Sequence, residues 1–187
     1  MAILAATLGV WMGLSPGAAR ADGSFFQLDL ADRGSSFTGL VRRGPATVTL
    51  GWSEFPAGNA ATLWGSYGVS LGDGAWLRAG PAFRRDNQGR RDAGLRVGVE
   101  RYSAGERGFL FLLAEGTTIQ REYLLLAELG HSASGTSVGV SVQGNRVGFR
   151  ERSLVFGYRL PGRPVTLRAG YRTQARSVFV GVSVNTF

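Results

Sequence analysis

Cysteine and lysine are both absent from the 187 residues, and histidine occurs once, at His131. Without cysteine there is no disulfide scaffold and no thiolate metal site. A single histidine cannot build a His cluster, and no G-x-G-x-x-G loop precedes a helix, so neither a metal nor an organic cofactor is expected. Helical spacing is scarce after residue 22, and no apolar run reaches the ~20 residues that a membrane-spanning helix needs. What the chain has instead is arginine and glycine. All 21 basic residues are arginine, set against 13 acidic ones for a formal charge of +8, and glycine fills 29 positions. An apolar fraction of 44% excludes a disordered tail. Mean hydropathy is +0.01, neither oily nor polar.

The first segment is distinct. Ala2 to Leu14 are apolar apart from Thr7 and glycine, Ser15-Pro16-Gly17 follows, and Ala19-Arg20-Ala21 places small residues before a cleavage point. Such a run reaches only ~20 Å as a helix, short of the bilayer core. It is expected to be a signal peptide, residues 1–21, cut after Ala21. Residues 22–187 then form one domain.

That domain alternates with period two. Ala46, Val48, Leu50 and Trp52 share one face, and Thr47, Thr49, Gly51 and Ser53 the other. Leu77, Ala79, Pro81 and Phe83 oppose Arg78, Gly80, Ala82 and Arg84, and Val178, Val180, Val182 and Val184 oppose Ser177, Gly181 and Ser183. Eleven breaks rich in Gly, Asn, Asp and Pro separate these segments, from Arg33-Gly34-Ser35 to Thr173-Gln174. They predict about twelve strands of ~10 residues. Residues 107–130, where Phe109 to Leu113 are apolar on both faces, and the arms around Phe26 and Phe37 alternate poorly, so ten strands stay open.

A soluble sandwich also alternates, but its polar face meets water and is rich in charge. Here that face is mostly Gly, Ser and Thr with isolated Arg and Glu, as in an enclosed lumen. The apolar face carries no charge within any clean strand. Its aromatics sit toward strand ends, Trp52, Phe83, Tyr123 and Tyr171 near one rim and Tyr67 and Tyr158 near the other. With its presequence, amphipathic hairpins and terminal Phe187, the chain resembles a Gram-negative outer-membrane β-barrel protein. The valines before Phe187 run one position out of phase with the usual C-terminal pattern, which a bulge near Asn185 would restore. The resemblance implies an all-β, closed, antiparallel up-and-down transmembrane barrel, located in the outer membrane and inserted by the barrel-assembly machinery.

Parity then places Arg78, Arg84, Arg96, Arg159, Arg168 and Arg172 in the lumen, with Asp29, Glu100, Glu115, Glu122 and Glu128. Two readings follow: a narrow porin-like channel favouring small anionic solutes, or a structural barrel filled by Arg–Glu pairs. Arg33, Arg85, Arg90, Arg91, Arg121, Arg146, Arg150 and Arg176 fall in loops of one rim, where guanidinium would meet lipopolysaccharide phosphates. Nucleic-acid binding is not expected, because the arginines are dispersed over many strands. A lipid-modifying enzyme is a third reading. It needs His131 beside a serine, and neither Ser132 nor Ser134 shares its face in an extended chain, so no catalytic residue is assigned.

Overall fold

The computed structural model describes residues 22–55 and 58–187; the expected signal peptide lies outside them. Most of the described residues lie in twelve strands: β1 Gly23–Ala31, β2 Ser36–Arg43, β3 Ala46–Phe55, β4 Gly58–Gly72, β5 Ala75–Asp86, β6 Arg91–Gly105, β7 Gly108–Thr117, β8 Tyr123–His131, β9 Thr136–Gly144, β10 Arg150–Arg159, β11 Val165–Arg172 and β12 Ser177–Asn185. Each pairs antiparallel with its neighbours in sequence, and β1 pairs with β12. The sheet is therefore a closed barrel with no free edge. The two weak arms around Phe26 and Phe37 are strands, which removes the ten-stranded alternative.

The turns fall close to the expected breaks, with two adjustments. The β6–β7 turn lies at Glu106-Arg107, beyond Ser103-Ala104-Gly105. The β7–β8 connection is longer than Thr117-Thr118 and runs to Glu122, with Gln120 and Arg121 both at positive φ. At the β4–β5 turn the geometry requires glycine: Gly74 has φ 74°, and a Cβ there would strike the Tyr102 carbonyl. Pro81 lies mid-strand in β5. It pairs with Leu95 on β6, while the ladder toward β4 skips from Ala82 to Ala79, as expected where an N–H is missing.

Burial is inverted relative to a soluble protein. Buried side chains include Asp29, Thr47, Thr49, Glu151, Ser177 and Ser183, whereas Leu129 and Val178 are more than 60% exposed. The outward positions of the clean strands are apolar in this way, with arginine on that face only toward strand ends. A continuous exterior of that kind is an aggregation surface in water but suits hydrocarbon, and closure leaves no free strand edge there. No helix among the described residues is long and apolar enough to cross a membrane.

Both termini lie at one rim, with the turns after β2, β4, β6, β8 and β10; the other rim carries the remaining connections. The expected bulge near Asn185 is absent. β12 keeps continuous register with β1 from Phe179 to Asn185, and the out-of-phase Phe187 turns inward, against Gly23 and beneath the Arg42 guanidinium at 5.0 Å.

Candidate functional site

The barrel interior gathers most of the charge that alternation assigned to it. At the terminal rim, Glu100 of β6 accepts from Arg78 Nε of β5 at 2.9 Å and from Arg42 Nη2 of β2 at 2.7 Å. The second bond crosses three intervening strands. Arg78 also donates to Thr47 Oγ1 at 2.9 Å and lies over the Trp76 ring. At mid-height Arg96 pairs with Glu115 of the adjacent strand and stacks on Trp64 at 3.8 Å. On the far side of β12, Arg168 Nε donates to Asp29 Oδ1 at 3.1 Å. Toward the distal rim Arg84 pairs with Glu122, and Arg172 donates to the Gly34 carbonyl at 2.6 Å above the Phe179 ring.

Glu122 lies in the β7–β8 turn rather than in a strand. That turn folds toward the interior: Ile119 is buried, and a Cβ on the inward Gly94 would meet it. It also presents Gln120 Oε1 to Arg84 at 3.3 Å. Glu122 is therefore partly desolvated, and burial raises its carboxyl above the ordinary range despite the nearby Arg84 and Arg96 guanidiniums. Arg159 is exposed at the terminal rim and donates to the Arg163 carbonyl at 3.4 Å. Glu128 makes no hydrogen bond or ion pair among the described residues; it is flanked by Phe111 and Gly139.

Arg42, Trp64 and Trp76 are interior residues that parity did not single out, and so are Glu151, which is buried at the start of β10, and Asp92. Arg42 precedes Arg43, so either parity was available to it. Trp64 and Trp76 share the polar parity of β4 and β5, a signal that alternation did contain. The doubly apolar β7–β8 stretch also finds its place: Phe111, Leu113, Leu124 and Leu126 line the interior between Glu100, Glu115 and Glu128. Inward arginine thus concentrates on β2, β5, β6 and β11, while β7, β8 and β9 carry no arginine and contribute Glu115 and Glu128 among apolar and small residues.

Close approach is visible at Gly181. A Cβ there would overlap the Asp29 carboxylate and the Leu28 carbonyl, so the missing side chain is what lets Asp29 reach Arg168. Gly181→Ala is expected to lower stability by about 1–3 kcal/mol, the usual range for overpacking. The temperature at which the folded, fast-migrating gel form is lost would report it; no shift would mean that the β1–β12 seam relaxes freely.

The distal rim carries Arg33, Arg85, Arg90, Arg91, Arg121, Arg146, Arg150 and Arg176. Arg90 is held by Asp86 at 2.7 Å, and Arg33 reaches the Ala175 carbonyl at 3.3 Å. Arg85 and Arg91 face each other directly in the β5–β6 register. His131 Nδ1 lies 3.0 Å from Ser134 Oγ, a contact the extended-chain reading did not anticipate, because the turn folds residue 134 back. Ser134 is itself bonded to Thr136, and no carboxylate bonds His131, so the pair closes a turn without forming a triad. No group of metal-ligating side chains occurs among the described residues.

With twelve strands, inverted burial and an interior arginine system in place, comparison with solved structures becomes informative. The fold is that of the KdgM porin. The match has a TM-score of 0.58 at 11% identity, covering 88% of this chain and 99% of that one. A second structure, KdgM porin in complex with disordered oligogalacturonate, matches at 0.57. A mutant porin of Rh. blastica gives 0.43, with 56% of its chain covered. No protein-family model matches the chain, and no curated protein matches it in sequence. The likeness to KdgM porin is one of backbone fold and extends over nearly the whole of both chains.

Proposed function

We propose that this protein is an outer-membrane, porin-like channel that passes small anionic solutes, with carboxylated oligosaccharides as the substrate class. The inverted burial supports the membrane setting, and the shared fold with KdgM porin supports the channel class and its location. One observation carries the solute preference: guanidiniums line the interior at three levels, Arg42 and Arg78, then Arg96 and Arg168, then Arg84 and Arg172. Each group has five donors; a carboxylate takes one of them in five of the six, and the Gly34 carbonyl takes one from Arg172. Arg168 spends Nε on Asp29, which leaves both terminal nitrogens for a passing oxyanion. Donors spaced at several depths along the interior suit multi-site passage, in which an anion is handed on rather than held. The oligogalacturonate found with KdgM porin is a polyanion of this kind.

The test is reconstitution in planar bilayers under a salt gradient. The expected reversal potential shows anion preference, and added oligogalacturonate interrupts the current. Arg96→Ala or Arg168→Ala is expected to reduce that preference. An inserted, heat-modifiable barrel without conductance, or with cation preference, would overturn the channel reading.

A further inference from the structure

We propose that Arg85 and Arg91, with the depression beneath them, form a site for one phosphorylated, acylated lipid of the outer leaflet. The proposal rests on the outer-membrane reading above, with the termini on the inner side. Arg85 ends the outward row of β5 and Arg91 begins that of β6, directly opposite one another. Like charges in such a cross-strand pair repel. Neither makes an ion pair among the described residues: Asp86 is taken by Arg90, Asp92 sits at the inward register position opposite Arg84, and Glu54, two strands away, bonds neither. Two adjacent guanidiniums lacking a carboxylate match one phosphate, which each can grip bidentately.

The surface below them is apolar. A depression of about 340 Å³ lies against Leu50, Ala61, Leu63, Phe83 and Ala93, with both arginines at its edge. Small Ala61 and Ala93 make the hollow between the larger side chains, and Trp52 occupies the same outward row as Ala61 and Arg85. Phosphate above and hydrocarbon below, with an aromatic ring at the boundary, is the polarity order of a membrane lipid at its headgroup. A water-soluble phosphate would use the upper half alone.

The experiment uses the intact mature barrel in detergent and native mass spectrometry with bisphosphorylated lipid A. Comparison probes are the same lipid with its phosphates removed, and inorganic phosphate. One lipid A per barrel is expected to survive activation, and Arg85→Gln/Arg91→Gln should weaken retention at least tenfold. The dephosphorylated lipid should be held no better by the native barrel than by that variant, and inorganic phosphate should not displace lipid A. Arg33→Gln/Arg176→Gln removes equal charge from the same rim and should change nothing. Equal loss in that control, equal retention of both lipids, or displacement by inorganic phosphate would overturn the site. Conductance of Arg85→Gln/Arg91→Gln is expected to be unchanged. The channel reading thus fails on current and the lipid site on retention, each independently.

Discussion

Glu100→Gln is expected to destabilise the barrel by about 3 kcal/mol, the low end for breaking a buried pair, while raising its anion preference. One carboxylate serves two guanidiniums here, and all three side chains are less than a fifth exposed. Glutamine keeps the volume and one acceptor but removes the charge. Arg78 would retain its bond to Thr47 Oγ1, whereas Arg42 would keep only a neutral amide oxygen and the Phe187 ring, both weaker partners than a carboxylate. Two uncompensated positive charges would then face the interior at the terminal rim. The two effects separate by measurement: urea unfolding in detergent reads the first, and the reversal potential reads the second. Arg42→Gln combined with Glu100→Gln is expected to recover part of the lost stability, because it removes one of the stranded charges. A Glu100→Gln barrel as stable as the native one, with unchanged selectivity, would show that the cluster contributes neither.

Period-two alternation was sufficient for the strand count where one face was lined by Gly, Ser and Thr. It failed where the interior itself is apolar. Phe25 on β1 and Leu40 on β2 both take inward register positions, so those arms lose the contrast that marks a strand. The same cause blurs β7 and β8, whose inward leucines and phenylalanines are packing residues between carboxylates. Register also explains Phe187: parity alone turns it inward once β12 pairs without a bulge. Inward arginines on clean strands were legible one by one, but their partners were not. Arg42 and Glu100 stand 58 positions apart, and Arg168 and Asp29 stand 139 apart. Such pairs depend on how the barrel closes, which no local pattern encodes. Conversely, the turn that brings His131 to Ser134 is local, yet it was hidden by treating the segment as extended.

Acidification is expected to increase the anion preference of the native channel while leaving Glu122→Gln unchanged. Burial already holds the Glu122 carboxyl above the ordinary range, so its proton is taken up at a higher pH than an exposed glutamate would need. The groups facing it are Arg84, Arg96, Gln120 and Asp92, and the last of these opposes its ionisation. Once Glu122 is neutral, Arg84 has no carboxylate partner and the distal mouth gains one positive charge. A unit charge at ~4 Å is worth about 1 kcal/mol even in water-like surroundings, roughly a fivefold change for a passing monovalent anion. The stability sign runs the same way. A carboxyl raised in the folded state opposes folding above its folded pKa and ceases to do so as pH falls through it, so the Arg84–Glu122 ion pair is lost without unfolding the barrel. Reversal potentials measured from neutral pH downward should therefore rise in the native protein, above the range where ordinary carboxylates titrate, and stay flat in Glu122→Gln. Parallel curves for the two proteins would place the acid response elsewhere in the lumen.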